Sequence, residues 1–260
     1  MRKTAKVTVL GCGTSTGVPA IGCNDPVCLS NNPRNKRLRP SIIIQTDESS
    51  LLVDTSPDLR QQALEHGLRK VDAVIYTHYH ADHTFGIDDL RVFNMIMKKT
   101  IPCYAYENTL KILNQNFQYI FSANNQHKGF KPRLTLNQIG DETFEAAEFK
   151  IIPIELDHAG TKVMGIRIGD FVYATDCSNI PESSLDKMQG VKTLIIDALR
   201  HRPHPSHLTV DQAVEISDFL RPQKTYFTHT NYELEYEETN RNLPDNIQMA
   251  YDGLCFDINL

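Results

Sequence analysis

Apolar residues in this chain fall into short runs separated by polar and turn-forming residues, the spacing expected of β-strands joined by loops and helices. The strand-like runs are KVTVL, SIIIQT, SLLVD, AVIYT, IPCYAY, FKIIPIEL, VMGIRI, FVYAT, TLIIDAL, KTYFT and LCFDIN. Some alternate apolar with polar positions and others are apolar throughout, which predicts sheets with one partly wetted and one buried face. Between them, SPDLRQQALEHG reads as a helix with Ser56 as N-cap, Pro57 at its first position and Gly67 as its stop. TVDQAVEISDFLRP reads as a second helix, capped by Thr209 and ended before Pro222. Strands and helices alternate without a repeat period, so the class is mixed α/β and a solenoid is excluded. Two segments, Ala20 to Pro40 and Asn114 to Arg133, follow neither period and read as irregular connections that could border a site.

The 260 residues, 40% of them hydrophobic, suffice for one full core, and no linker interrupts them, so a single domain over residues 1–260 is expected. The net charge of -5 argues against a broad electrostatic grip on extended nucleic acid, so an anionic substrate would have to be met locally. No apolar run approaches the roughly 20 residues of a membrane span, and the basic start MRKTAKVTVLGCG lacks the apolar centre of a signal peptide. A cytoplasmic protein without a membrane partner is expected. Six cysteines in a chain this long do not make a disulfide framework, so reduced thiols are expected, with any closely spaced pair a metal candidate.

The first strand runs into VTVLGCGTSTGVPAIGC. Gly11 and Gly13 match the opening of the dinucleotide fingerprint, but Thr16 stands where its third glycine belongs. Gly17, Val18, Pro19 and Gly22 then leave no helix whose N-terminus could hold a pyrophosphate. The loop either turns the chain or lets backbone approach a neighbouring site, with Gly11, Gly13 and Gly17 as the positions that permit it.

Chemistry concentrates in AVIYTHYHADH, where His78, His80, Asp82 and His83 directly follow an apolar strand. Histidine nitrogens and a carboxylate at this density are donors of the kind that borderline divalent metals prefer. The arrangement recurs: Asp157 and His158 follow FKIIPIEL, Asp176 follows FVYAT, and His229 follows TYFT. Strand ends at one edge of a layered sheet can converge, and loops there commonly carry sites. Each residue alone could be a hydrogen-bonded structural group. Together the motif residues, His158, Asp176 and His229 make seven donors, too many for one tetrahedral ion and suited to two.

The H-x-H-x-D-H motif followed in order by a histidine, an aspartate and a last histidine, all after strands, resembles the metallo-β-lactamase superfamily of dinuclear hydrolases. The resemblance implies a four-layer αββα sandwich with the site at the edge between two sheets. It assigns His78, His80 and His158 to one metal and Asp82, His83 and His229 to a second, with Asp176 bridging them. Asp54 in LLVDTSPD matches the aspartate that supports the ligands from behind. HADHTFGIDDLRVFN, FVYATDCSNIPE and the opening glycine loop are similar to the PhnP-type phosphodiesterases, which hydrolyse cyclic ribose phosphates, and this closer resemblance spans nearly the whole chain.

That resemblance implies a catalytic group of His207, Asp82 and Asp176. A hydroxide held by two divalent ions, Zn, Mn or Fe, would then attack phosphorus in line while His207 in RHRPHPSHLTV would protonate the departing alkoxide. The substrate would be a small cyclic diester such as a phosphoribosyl 1,2-cyclic phosphate or a 2′,3′-cyclic nucleotide. His201 and His204 lie beside His207, and only the resemblance chooses among them. Arg34, Lys36, Arg37, Arg39 and Arg91 are candidates to hold a distal phosphate, and NFQYIFSANNQHKGFK is a candidate lid. PhnP-type enzymes also carry a structural zinc on three cysteines and a histidine. Here CNDPVC keeps Cys23 and Cys28 but has Asp25 in the middle, and Tyr232 takes the histidine's place, which leaves a degenerate and poor zinc set. A homodimer is an assembly that the resemblance leaves open.

Other readings share the metal motif. A tRNA 3′-end endonuclease would need a tRNA-gripping arm and a basic surface, which the sequence lacks. A thioester or lactam hydrolase would use the same ligands, and a flavin-linked di-iron oxidoreductase usually has Glu where His80 stands. A non-catalytic binding module is disfavoured because all seven ligands are present.

Overall fold

The architecture follows from strands that are apolar on both faces. In the SIIIQ strand, Ile42 and Ile44 point one way and Ile43 the other, and all three are fully buried. Such strands require cover on two sides, and the computed structural model, which describes residues 3–122 and 131–260, supplies it with two stacked sheets and outer helices.

Among the described residues each sheet has seven strands. The first runs Cys255–Asn259, Thr4–Gly11, Ser41–Gln45, Ser50–Val53, Ala73–Ile75, Ile101–Ala105, Leu134–Gln138 in spatial order. The second runs Ile247–Met249, Lys224–Thr228, Thr193–Asp197, Phe171–Ala174, Thr161–Ile168, Phe149–His158, Phe144–Ala146. The four strands from Ser50–Val53 to Leu134–Gln138 pair in parallel, as do the four from Ile247–Met249 to Phe171–Ala174. Parallel neighbours end at the same edge, so the loops that leave their C-terminal ends are gathered together.

The central core lies between the sheets, where Val7, Val9, Ile42, Ile44, Val53 and Ile75 of one meet Ile151, Met164, Ile166, Phe171 and Ile195 of the other. On the outer face of the first sheet, Ile43, Leu52 and Val74 pack on Leu59, Leu90, Phe93 and Leu113 of helices Leu59–Glu65, Leu90–Met97 and Glu107–Asn116. On the outer face of the second, Val172, Leu194, Ile196 and Phe227 pack on Met188, Val210, Ala213 and Leu220 of helices Glu182–Met188 and Val210–Leu220. The result is the αββα layering, with each fully buried aliphatic side chain contributing about 1.5–3 kcal/mol to holding it.

All eleven strand-like runs are strands. The Val210–Leu220 helix opens with a full capping box, in which Thr209 Oγ1 accepts from Gln212 N–H and the Gln212 side chain accepts from Thr209 N–H. The other expected helix begins at Leu59, two residues late. Ser56 Oγ accepts from Asp58 N–H in a turn instead, and Asp58, paired with Arg39, stands at the N-cap position. Segment Ala20 to Pro40 holds only one turn of helix at Pro26–Leu29 and a 3-10 turn at Pro33–Asn35. Residues 123–130 of the candidate lid lie outside the described residues.

Candidate metal centre

Each candidate ligand stands where a buried strand stops. Asp54 follows Ser50–Val53, the histidine motif follows Ala73–Ile75, His158 ends Phe149–His158, Asp176 follows Phe171–Ala174 and His229 follows Lys224–Thr228. Three of them leave the strand in the left-handed region: Asp54 at φ 64°, Asp176 at 55° and His229 at 58°. Non-glycine residues reach that region at a cost and cluster at functional sites, where the surrounding structure holds them. Here the sharp bend turns each side chain off its sheet and into the shared edge. The motif itself is clamped to Asp54's loop, since Thr55 N–H donates to His83 O and Gly86 N–H to Thr55 O. A Cβ on Gly86 would stand 2.1 Å from Ser56 O, so only glycine permits this approach.

The folded chain brings the seven predicted donors together. His78, His80, His158 and Asp176 form one group and Asp82, His83, Asp176 and His229 another, with the donor atoms in each within 4.8 Å of one another and Asp176 common to both. His78 Nε2 lies 3.0 Å from His80 Nδ1 and 3.7 Å from Asp176 Oδ2. His83 Nε2 lies 3.2 Å from Asp176 Oδ1 and 3.4 Å from Asp82 Oδ2, and His229 Nε2 3.3 Å from Asp176 Oδ2.

The hydrogen bonds behind these rings decide which nitrogen faces inward. Thr77 Oγ1 donates its single proton to Asp54 Oδ2 at 2.8 Å, so at 3.0 Å from His78 Nδ1 it accepts, and the His78 proton sits on Nδ1. His83 Nδ1 donates to Asp54 Oδ2 at 2.7 Å, and His158 Nδ1 donates to Ser206 O at 2.7 Å. In the neutral form of all three rings the lone pair therefore sits on Nε2. His83 Nε2 is buried without a hydrogen-bond partner. Lone pairs and carboxylates converging in a buried pocket repel unless a cation lies among them, which is the donor chemistry a divalent metal requires.

Electrostatics point the same way. Burial opposes ionisation of Asp82 and Asp176, yet His83 and His229 outweigh it and hold both carboxyls well below the usual range. Burial likewise opposes protonation of His83 and His229, but Asp176 and Asp82 dominate, raising His83 well above an ordinary histidine and His229 to about 9. His78 moves the other way, lowered by burial and by its neighbour His83. The acidic pocket thus favours positive charge at its centre.

His207 adjoins this cluster. Its ring stacks on His229 with centroids 4.5 Å apart and 14° between planes, and its Nδ1 lies 2.7 Å from Asp197 Oδ2. Asp197 is fully buried, accepts Cys177 N–H through the same oxygen, and is grouped with His207 and His229 within 4.8 Å. Sequence reasoning missed Asp197, although it closes TLIID as Asp176 and His229 close their runs; that signal would have found it. His201, by contrast, is exposed and lines a cavity of about 580 Å³ with Asp211, Glu215, Glu233 and Glu238.

Other expectations change. Arg37 is not available to a substrate: it is 1% exposed, and its guanidinium donates to Thr230 Oγ1, Asn231 O, Leu234 O, Asn35 Oδ1 and Arg34 O. Arg39 is clamped by both oxygens of Asp58, and Arg91 pairs with Asp88 at 3.1 Å on the helix side of the first sheet. Arg34 lies over the rings of Tyr236 and Tyr251, and Lys36 donates to Cys28 O at 2.8 Å. In the CNDPVC loop Asp25 Oδ1 caps the Pro26–Leu29 turn by accepting Val27 N–H, and among the described residues Cys23, Asp25 and Cys28 do not form a group of three converging donors. The opening glycine loop does border the centre. Gly13 bridges to Thr230, next to His229, and a Cβ there would stand 2.6 Å from Arg37 O.

Comparison with known proteins agrees with this architecture. Residues 50–230 match the β-lactamase superfamily domain. A solved diphosphatase of the PhnP family is 43% identical, with a TM-score of 0.94 over 100% of this chain and 99% of that one. Zn(2+)-bound PqqB from Methylobacterium extorquens shares the fold at 20% identity, with a TM-score of 0.78 over 97% of this chain and 100% of that one. An octanoyltransferase from Porphyromonas gingivalis is 36% identical over 95% of this chain, which spans only 50% of that protein's length. With strand-end donors, layering and near-complete overlap in agreement, the chain belongs to the β-lactamase superfamily of metal-dependent hydrolases and, within it, to the PhnP family.

Proposed function

We propose that this protein is a phosphodiesterase that uses two divalent ions, Zn or Mn with Fe as an alternative, to hydrolyse a small cyclic phosphate diester such as a phosphoribosyl 1,2-cyclic phosphate or a 2′,3′-cyclic nucleotide. The observation that carries this reading is the ring of His207, braced by Asp197 at 2.7 Å and stacked on His229 at the edge of a donor set suited to two ions. Phosphodiester hydrolysis needs both parts: positive charge against the phosphoryl oxygens and a proton for the departing oxygen.

His78, His80 and His158 would hold one ion, Asp82, His83 and His229 the other, and Asp176 both. Bound there, the ions supply positive charge and a water acidic enough to serve as nucleophile near neutral pH. Asp54 and Thr77 keep the protons of His83 and His78 on the outer nitrogens. Asp197 accepts from His207 Nδ1–H, so a doubly protonated ring gives up its second proton from Nε2 and returns to the neutral form. That proton passes to the leaving oxygen as its bond to phosphorus breaks; a cyclic diester opens to a monoester.

The near-full-length relative is a diphosphatase, which favours a second reading, cleavage of a diphosphate at the same centre. The two separate on probes. With Mn or Zn, adenosine 2′,3′-cyclic monophosphate is expected to open, and His207→Ala to slow it about 10²–10⁴-fold. Hydrolysis of adenosine 5′-diphosphate alone would establish the second reading instead.

A further inference from the structure

Among the described residues Asp176 is the donor common to the two metal groups, so whatever holds its carboxyl acts on both. Its oxygens have different surroundings. Oδ2 lies 3.7 Å from His78 Nε2, a member of one group, and 3.3 Å from His229 Nε2, a member of the other. Oδ1 lies 3.2 Å from His83 Nε2 and accepts from Thr175 Oγ1 at 2.8 Å. The oxygen that faces both groups is the one that Thr175 leaves alone.

The backbone around Asp176 is fixed on either side. Strand Phe171–Ala174 approaches it with Tyr173 in the core between the sheets and Ala174 against the outer helices. Alternation returns Thr175 to the inner face, where it is fully buried. Past the left-handed bend at Asp176, Cys177 N–H donates to Asp197 Oδ2 and Ser178 N–H to Asp157 O. The last torsion of an aspartate carboxyl is broad, so a fixed backbone alone does not decide which oxygen faces the two groups. Thr175 supplies that restraint. A β-branched side chain is stiff about its first torsion and places the hydroxyl at a defined point, and a hydroxyl that donates to a carboxylate makes a strong, charge-assisted bond. The first sheet uses the same device, since Thr77 Oγ1 donates to Asp54 Oδ2 at 2.8 Å.

We propose that Thr175 is a positioning residue: its hydroxyl anchors Oδ1 of Asp176, so that Oδ2 is held where the two groups meet and is available to both ions. This rests on the two-ion reading above. Loss of the hydroxyl should therefore weaken both ions, unlike a change behind His83, which belongs to a single group.

The test removes the hydroxyl while keeping the branched shape. Thr175→Val and the unaltered protein are compared by urea titration without metal and, after loading with Zn or Mn, by chelator competition with elemental analysis. The expected result is an unaltered urea midpoint, a loss of about 10–100-fold in affinity for each ion, and recovery of most of that loss in Thr175→Ser, which restores the hydroxyl. Unaltered affinity for both ions would overturn the assignment, as would a loss confined to one ion. An equal loss of affinity in Thr175→Ser, or a metal-free urea midpoint that falls in both variants, would also overturn it, because either marks a packing role. Should Thr175→Val fail to fold, Thr175→Ala takes its place in the same comparison with Thr175→Ser. Fewer than two ions bound by the unaltered protein would remove the two-ion reading and this inference with it.

Discussion

Asp54→Asn isolates the part of the site that sets proton positions. Asp54 is fully buried; its Oδ1 accepts Thr77 N–H at 2.8 Å and its Oδ2 accepts Thr77 Oγ1 and His83 Nδ1 at 2.8 and 2.7 Å. Asparagine tolerates the left-handed backbone found at φ 64°, so the substitution adds little strain, whereas Asp54→Ala would add about 1–2 kcal/mol of it. With its oxygen kept on Thr77 N–H, the new amide directs N–H toward His83 Nδ1. That nitrogen must then accept, its proton moves to Nε2, and the lone pair that faces Asp176 and Asp82 is lost. Loss of such an outer hydrogen bond costs roughly 10–100-fold in metal affinity, about 1.4–2.8 kcal/mol. Chelator competition with elemental analysis should find the ion at His78, His80 and His158 retained and the ion at Asp82, His83 and His229 weakened by that factor. Two ions bound at unaltered affinity would refute the tautomer argument.

Asp197→Asn and His207→Ala should slow opening of adenosine 2′,3′-cyclic monophosphate by about 10²–10⁴-fold yet spare release of p-nitrophenolate, which leaves without a proton; equal losses on both substrates in steady-state assays would contradict the assigned role. Arg37→Ala should destabilise the fold by about 3–5 kcal/mol in urea titrations, because it strands the carbonyls of Asn231 and Leu234 along with Asn35 and Thr230; unaltered stability with a raised KM would return Arg37 to the substrate. Glu233, held by Arg202 and Asn231 against partial burial, has its carboxyl lowered from 4.5 to about 2. Its contribution is full above about pH 4.5 and fades as pH falls through 2, so Glu233→Gln should remove about 1 kcal/mol, after allowance for solvent screening, at pH 6 but little at pH 2 in denaturant titrations at the two pH values. Cys23→Ser and Cys28→Ser should leave metal content at two ions per chain by elemental analysis, since Asp25 is occupied as a helix cap; loss of an ion would restore a metal to that loop.

Much of the fold was legible because burial on both faces makes strands such as SIIIQ and TLIID apolar throughout, a pattern that needs no knowledge of partners. LTLNQ, at the edge of the first sheet with partly exposed residues, and the three-residue strand Ile247–Met249 carry too little apolar signal to be read that way. The metal donors were legible because their spacing is local or their position at strand ends recurs. Arg37 was misread because a buried arginine that holds backbone carbonyls has the same sequence signature as an exposed phosphate-binding one. The choice among His201, His204 and His207 rested on the resemblance, because the hydrogen bond to Asp197 that singles out His207 is set by the fold of its loop.

The central claim is that two ions in this donor set make a phosphodiesterase. Its most direct test titrates metal-free protein with Mn or Zn while following p-nitrophenol release from bis(p-nitrophenyl) phosphate. The account predicts turnover that rises to a plateau at two equivalents and disappears in His80→Ala. Two ions bound without turnover would contradict it.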